Sequence, residues 1–177
     1  MKSEKSLFIF FDKEVYNIVI MNINVYSKIK LYWLKKEQTV EPLTIAFICT
    51  HNSCRSQMAE GYMKTFGDSF TRIYSAGTEK YHQVKPKAIE AMKLDNIDIS
   101  MHYPKLLDEI PAKLDILITM GCGVVCPHIP CNHIEDWNLE DPSGGSLEEF
   151  IITRDLIKKR VFQLIKDIKN ENIKLKE

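Results

Sequence analysis

The sequence predicts an α/β protein in which helices cover a parallel sheet. From residue 43 onward, short apolar runs bounded by turn residues alternate with stretches whose apolar residues recur at helical spacing. Strands that alternate with helices pair in parallel through right-handed crossovers, which gives an α/β sandwich. The 177 residues suffice for one domain with a sizeable core.

The predicted elements follow one another along the chain. Strands are predicted at residues 43–49, 72–76, 114–120 and 133–137. A first helix is predicted over residues 58–66, with Gly67 as its stop, and a second over residues 86–96, with proline in its first turn. A long final helix follows Ser146, which forms a capping box with Glu149. In such sheets, ligands bind beyond the carboxyl ends of the strands.

Residues 1–42 form a separate amino-terminal extension of unknown role. Their longest uncharged run, residues 15–27, is 13 residues long, whereas a bilayer-spanning helix needs about 20 mostly apolar residues. Asp12 interrupts the apolar stretch that a secretory signal would need. We expect a segment packed on the domain surface, or upstream sequence read from an early start codon before Met21. A partner-docking segment is the alternative.

Charge and cysteine usage restrict the class of protein. Basic and acidic residues balance at 24 each, so no bulk field favours nucleic acid or a membrane surface as a partner. Five cysteines, an odd number in a chain without a signal, argue against a secreted disulfide framework. We therefore expect a cytoplasmic protein.

The chemistry is concentrated in residues 49–56, which join the first strand to the first helix. Their backbone N–H groups can curl around a tetrahedral oxyanion, while the helix N-terminus adds positive potential. The planar guanidinium of Arg55 can bind two oxygens of that ion. The predicted oxyanion-binding residues are Thr50, His51, Asn52, Ser53, Cys54, Arg55 and Ser56.

Cys49 is the predicted nucleophile. The same positive environment favours its thiolate, which is the nucleophilic form of a cysteine. Ser56 can donate a hydrogen bond to that thiolate, and Asn52 tolerates a left-handed conformation inside a tight loop. The alternative is a buried strand cysteine beside an exposed helix arginine. The strand–loop–helix context favours the functional interpretation.

The stretch AFICTHNSCRSQMAE, residues 46–60, resembles the active-site loop of the low-molecular-weight protein tyrosine phosphatase superfamily. It is closest to the branch that works as arsenate reductases, which also matches YSAG (74–77), PKAIEAM (86–92), DIS (98–100), DW (136–137) and DPSG (141–144). The resemblance covers about residues 43–169. It implies a flavodoxin-like three-layer sandwich with four parallel strands and helices on both faces, and hence a catalytic domain over residues 43–177.

The resemblance also implies residue roles: Cys49 as nucleophile, Arg55 as oxyanion ligand and Asp141 as the general acid that protonates the leaving oxygen. The residues themselves are compatible with the last role, because an Asp-Pro after a strand presents a carboxyl group on a stiffened turn. The alternative is an ordinary turn aspartate.

Two features favour a reductase over a phosphatase. Phosphatases of this superfamily carry an aromatic pair straight after the acid aspartate, whereas this chain has Ser143, Gly144 and Gly145, which suit a small inorganic ion. Reduction takes two electrons, which a dithiol supplies by becoming a disulfide, and Cys122 and Cys126 follow the third predicted strand. A phosphatase acting on phosphotyrosine or a small phosphate ester is the alternative. A non-catalytic binding module is a second one.

In the reductases that the chain resembles, attack on arsenate gives a thiol–arsenate adduct. A second cysteine then releases arsenite, and a third carries the disulfide to the surface, where thioredoxin reduces it. We assign the second role to Cys122 and the third to Cys126, with no tightly bound cofactor. Thioredoxin-linked enzymes have a longer stretch between these cysteines than the three residues here. Cys131 in place of Cys126, and a small thiol in place of thioredoxin, therefore stay open.

Metal binding is another interpretation of the cysteine-rich loop. The candidate ligands are Cys122, Cys126, His128, Cys131 and His133. Zinc sites usually show tight ligand pairs two to four residues apart at both ends, and this spacing is a poor match. Simple packing of these cysteines is the other alternative.

A potassium site is implied by the resemblance alone. Asn52, Glu60 and Ser75 match positions that form such a site in some relatives, where it stabilises the loop. Each of these residues also has an ordinary structural use. His102 lies in a polar stretch and is expected to be solvated.

Overall fold

The structure, a computed structural model, describes residues 42–69, 71–121 and 129–173. The sequence assignments to residues 1–41, and to Cys122, Cys126 and His128, lie outside the described residues. Four strands form a parallel sheet: β1 (Leu43–Cys49), β2 (Thr71–Gly77), β3 (Leu114–Thr119) and β4 (Cys131–Asp136). Their order is β2–β1–β3–β4, and each differs from its predicted bounds by no more than two residues.

Within the described residues, three α-helices follow strands or loops of the sheet: α1 (Arg55–Phe66), α2 (Pro86–Lys93) and α3 (Leu147–Lys169). Helix α1 begins three residues before the predicted start, so Arg55 and Ser56 lie in its first turn. Helix α2 ends three residues before the predicted end, because Asn96 adopts a left-handed conformation with φ of 60° in the turn that follows. The predicted capping box is present, with Ser146 Oγ accepting from Glu149 N and the Glu149 carboxylate accepting from Ser146 N.

The two faces of the sheet are covered differently. Ile45 and Phe47 of β1 belong to the core cluster that all three α-helices build. Ala46 and Ile48 point to the opposite face, as alternate residues of a strand do, where one turn of 3-10 helix (Leu107–Glu109) contributes to the covering layer. The α/β class with a four-stranded parallel sheet is therefore confirmed.

The carboxyl ends of the strands position the site. Cys49, Gly77, Thr119 and Asp136 end their strands at one edge of the sheet, because all four strands run in the same direction. Residues 49–56 lie at this edge, directly before α1. Among the described residues, no helix is long and apolar enough to cross a membrane.

Candidate active site

The sulfur of Cys49 is held by two donors from its own loop. The backbone N–H of Asn52 donates to Sγ at 3.1 Å, and Ser56 Oγ lies 3.0 Å from Sγ. The side-chain amide of Asn52 donates to Ser56 Oγ at 2.8 Å. Because Ser56 accepts that bond, its own proton is free to be donated to Cys49. The thiol is buried, with 5% of its residue surface exposed, so these bonds act without competition from bulk water.

Asn52 fixes the shape of the loop. Its φ of 48° is the left-handed conformation that the sequence led us to expect. Its side chain is completely buried and donates a second bond to Ser75 Oγ at 2.7 Å, while its Oδ1 accepts from Gln57 Nε2 and from Lys105 N, both at 2.8 Å. Every polar atom of this side chain is thus used to hold the loop.

The backbone of the loop presents donors to its inside. The carbonyl oxygens of Cys49, Thr50 and Ser53 accept hydrogen bonds from Thr78 N, Glu79 N and Lys85 N in the segment that follows β2. In a trans peptide unit the C=O and the next N–H point in opposite directions. The N–H groups that follow these carbonyls therefore point away from that segment, as an anion-binding loop requires.

Gly77 allows the segment after β2 to approach the loop closely. A Cβ at this position would lie 2.8 Å from the carbonyl carbon of His51 and 2.8 Å from the oxygen of Thr50. Only glycine avoids this contact with backbone atoms. The sequence marked Gly77 as a strand end and gave no sign of its contact with the loop.

The guanidinium of Arg55 is buried beside the loop and only partly satisfied. Nη1 donates to the carbonyl oxygens of Leu139 at 2.7 Å and Met120 at 3.1 Å, which fixes the plane of the group. Among the described residues, Nε of Arg55 is the one buried side-chain nitrogen or oxygen atom without a hydrogen-bond partner. A buried donor without a partner carries a free-energy penalty of about 1–3 kcal/mol, which an anionic ligand would remove.

Asp141 reaches the same guanidinium from the loop after β4. Its Oδ2 lies 3.1 Å from Arg55 Nη2, and its Oδ1 accepts from Ser143 N at 3.1 Å, which closes a short turn. The side chain is 42% exposed, so it can exchange protons with solvent. Asp141 and Arg55 line a cavity of about 480 Å³ at the carboxyl edge, together with Thr50, Gly121, Asn138, Leu139 and Glu140.

Cys54 lies in the same loop but in a different environment. It is 3% exposed, and burial raises the pKa of its thiol well above the ordinary value, with the negative charges of Asp141 and Cys49 adding to the effect. Arg55 and Lys85 offset only part of this increase. Cys54 therefore stays a neutral thiol at physiological pH.

His51 lies at the rim of the loop. Its ring is 39% exposed, its Nε2 lies 3.2 Å from Glu79 Oε2, and its centroid is 5.2 Å from that of Tyr81. Its side chain faces these rim residues, so its contribution to oxyanion binding is limited to its backbone N–H.

The three residues of the potassium expectation come together, but their oxygens are already used. Glu60 Oε2 accepts from Ser75 and lies 3.2 Å from Lys105 Nζ, while its Oε1 lies 2.5 Å from Lys64 Nζ. Ser75 Oγ in turn accepts from Asn52. Burial alone would raise the pKa of Glu60, but the bonds from Lys64 and Ser75 and the charge of Lys105 outweigh it and lower the pKa. These residues do not fit a bound potassium ion.

The side chains of Gln57 and His102, which the sequence did not assign to the site, complete the support of the loop. Gln57 Nε2 bonds Asn52 and also the carbonyl oxygen of Tyr103, at 2.9 Å. Gln57 Oε1 lies 2.9 Å from the Nδ1 of His102, which is half-buried, so His102 supports the loop through Gln57. Burial lowers the pKa of His102, which keeps the imidazole neutral near pH 7. No sequence signal reveals these contacts, since residues 102–105 lie far from the loop along the chain.

Of the three candidate relay cysteines, Cys131 lies within the described residues, and Cys122 and Cys126 lie outside them. Gly121 lines the cavity beside Arg55, and Cys122 follows it directly in the sequence. Cys131 begins β4 and pairs with Leu114, the first residue of β3, so it lies at the opposite edge of the sheet from Cys49. Burial raises the pKa of Cys131.

A buried thiol beside hydrogen-bond donors, a fixed guanidinium and a carboxyl group on a neighbouring loop is the arrangement typical of enzymes that bind an oxyanion and use a cysteine nucleophile. Comparison with known proteins agrees with this class. The sequence profile of the family "Low molecular weight phosphotyrosine protein phosphatase" matches residues 44–174. The chain belongs to this family.

Similar proteins within the family narrow the comparison from the family to one kind of enzyme. The arsenate reductase of Staphylococcus aureus (strain Newman) is 49% identical over 119 residues, which are 65% of this chain and 90% of that protein. The structure of an arsenate reductase in the phosphate-binding state aligns with a TM-score of 0.67 and 42% identity, over 71% of this chain and 98% of that one. A thioredoxin-dependent arsenate reductase of Corynebacterium glutamicum aligns with a TM-score of 0.62 and 32% identity, over 82% and 73% of the two chains.

Proposed function

We propose that this protein is a thiol-dependent arsenate reductase in which Cys49 attacks arsenate. The observation that carries the proposal is the Cys49 sulfur held by Asn52 N–H and Ser56, next to a buried Arg55 whose Nε has no partner within the described part of the chain. Such a site is complete only when a tetrahedral anion supplies acceptors for its donors. The similar proteins named above are arsenate reductases, which identifies the anion.

The first step forms a covalent adduct. The Cys49 thiolate attacks arsenic, so that an S–As bond forms while one As–O bond breaks. Asp141 gives a proton to the departing oxygen, which leaves as water. Arg55 and the N–H groups of the loop bind the oxygens that remain on arsenic. The exposed position of Asp141 allows it to be reprotonated from solvent between turnovers.

The second stage transfers two electrons. The Cys122 thiolate attacks the Cys49 sulfur, an S–S bond forms, and the electron pair of the S–As bond stays with arsenic, which leaves as arsenite. Cys126 then attacks the Cys122 sulfur, which restores the Cys49 thiolate and leaves a Cys122–Cys126 disulfide. Thioredoxin or a small thiol reduces this disulfide. The cavity position of Gly121 supports Cys122 as the second cysteine, and the location of Cys131 at the far edge favours Cys126 as the third.

The turn after Asp141 supports a small inorganic substrate. Ser143 and Gly144 are exposed there, and Gly145 N closes the turn by donating to Pro142 O at 2.9 Å. These residues provide no aromatic wall for an aryl phosphate, so the site favours an ion over a phosphotyrosine. The cytoplasm is the compartment we propose, because a dithiol relay depends on a reducing environment.

The test is arsenate-dependent oxidation of NADPH by the purified protein, coupled through thioredoxin and thioredoxin reductase. We expect turnover that Cys49→Ser and Cys122→Ser each abolish. Cys131→Ser is the matched control and should keep turnover, since this thiol lies at the other edge of the sheet. Absence of arsenate turnover together with aryl phosphate hydrolysis that survives Cys122→Ser would show a phosphatase instead.

A further inference from the structure

Lys105 contacts the candidate oxyanion loop from the segment that follows α2. Its backbone N–H donates to Asn52 Oδ1 at 2.8 Å, and its carbonyl oxygen accepts from Gly77 N at 2.8 Å. Its backbone therefore joins the oxyanion loop to the end of β2. These two hydrogen bonds are made to Asn52 and Gly77, the two residues that shape the loop.

The side chain of Lys105 is mostly buried against the same network. Only 14% of it is exposed, and its Nζ lies 3.2 Å from Glu60 Oε2, the oxygen that also accepts from Ser75. Nζ donates to Tyr103 O at 3.2 Å as well. Glu60 itself is 4% exposed, and a carboxylate so deeply buried requires a nearby cation to stay ionised.

A directed chain of hydrogen bonds connects this ion pair to the catalytic sulfur. Because Glu60 Oε2 accepts the proton of Ser75, the Ser75 oxygen is available to accept from the Asn52 amide. The other proton of the same amide goes to Ser56 Oγ, which leaves the Ser56 proton for Cys49. A protonated Glu60 would no longer be an obligatory acceptor, and the direction of the chain would be lost.

We propose that Lys105 is a positioning residue for Cys49: its buried ammonium supplies the cation that keeps Glu60 an acceptor and thereby orients Asn52 and Ser56 toward the thiolate. The role of this thiolate in arsenate reduction rests on the function proposed above. The chain thus carries its own cation at the place where the resemblance implied potassium.

Lys64 is the natural comparison within the chain. It binds the other oxygen of the same carboxylate at the shorter distance of 2.5 Å, but its side chain is 49% exposed. Burial raises the pKa of Glu60, and the hydrogen bond from Lys64 is the largest of the influences that lower it. Solvent nevertheless screens the half-exposed ammonium of Lys64 more than the buried ammonium of Lys105. Lys105 also donates from its backbone N–H to Asn52 Oδ1 and from its Nζ to the carbonyl oxygen of Tyr103. Distance alone would rank Lys64 first, but burial and the contact with the loop favour Lys105.

The experiment measures alkylation of Cys49 by iodoacetamide, followed by peptide mass spectrometry across a pH series, because this readout needs no arsenate. For Lys105→Met we expect alkylation at pH 7 to slow by about tenfold, because Ser56 and Asn52 no longer orient their donors toward the Cys49 sulfur. Lys64→Met should stay within about twofold of the wild type. Lys105→Arg, which keeps the charge, should recover most of the rate. It also keeps the test valid if Lys105→Met does not fold.

Turnover and cation dependence give the second readout. Lys105→Met should lower kcat for arsenate by about ten- to a hundredfold with a smaller change in KM, since the thiolate is misoriented and Arg55 is intact. In Lys105→Ser, added potassium should restore part of the alkylation rate relative to tetramethylammonium. An unchanged alkylation profile in Lys105→Met, or an equal loss in Lys64→Met, would overturn the inference. A wild type without arsenate turnover would instead refute the proposed function.

Discussion

Cys49 and Cys54 lie five residues apart in one loop and are almost equally buried, yet their surroundings differ. The Cys49 sulfur has the Asn52 N–H and Ser56 Oγ within hydrogen-bond distance. Cys54 has a pKa raised by burial and by neighbouring negative charge. Oriented donors, and not exposure, therefore distinguish the proposed nucleophile from the other thiol of the loop. The sequence motif contains two cysteines, and the hydrogen bonds favour Cys49 as the reactive one.

Selective alkylation is the most direct test of the difference in reactivity between Cys49 and Cys54. At pH 8 we expect iodoacetamide to modify Cys49 faster than Cys54 by a factor of about a thousand, because the raised pKa of Cys54 leaves almost no thiolate. Peptide mapping over time measures both rates in one sample. Phosphate should protect Cys49 if the loop binds an oxyanion. Faster labelling of Cys54 would reverse the assignment.

Removal of the proposed general acid, Asp141, should have the next largest effect. Asp141→Asn keeps the shape of the turn but cannot donate a proton from a carboxyl group, so we expect kcat for arsenate to fall by about a hundred- to a thousandfold. Glu140→Gln changes the adjacent exposed carboxylate of the same cavity and serves as the matched control. It should stay within about twofold of the wild type. Equal losses of kcat in the two variants would mean that the charge of the cavity, and not proton donation by Asp141, sets the rate.

Gly77→Ala tests whether the donors of the loop must be held in place. The added Cβ would meet backbone atoms of Thr50 and His51 at 2.8 Å, so the loop has to shift. We expect kcat/KM for arsenate to fall by about ten- to a hundredfold. In Gly144→Ala the Cβ meets no atom within 4 Å, and with φ of 93° the expected change is a loss of about 1 kcal/mol of stability. Full activity in Gly77→Ala would show that the loop tolerates this displacement.

The smallest expected effect concerns stability at high pH. The pKa of Cys54 is raised in the folded protein, so above the ordinary thiol value of 9.0 the unfolded chain releases a proton that the folded one keeps. Stability should therefore fall as pH rises above 9, by up to about 1.4 kcal/mol per pH unit for this one group. Urea unfolding of the wild type and Cys54→Ala at pH 8 and pH 10 measures the difference. If the free energy of unfolding depends on pH identically in the wild type and in Cys54→Ala, the loss of stability at high pH does not come from Cys54.

Local pattern was sufficient for the strands, since four short apolar runs became the four strands of the sheet. It was less accurate at element ends. Helix α1 starts at Arg55, because the start of a helix there depends on how the oxyanion loop closes and not on apolar periodicity. The directly sequential part of the site, from Cys49 to Ser56, was predictable because the spacing within one strand–loop–helix unit fixes which groups can meet.

The residues alone predicted the α/β class and a loop at a strand end, both of which the structure confirms, and they pointed to Cys49 and Arg55 as candidate site residues. Tertiary structure alone decided which residues support that loop. Lys105 contacts Asn52 although 53 positions separate them, and Gly77 approaches the loop from the neighbouring strand. The physical reason is that local periodicity records which face of an element is buried, whereas contacts between distant segments depend on how the elements pack.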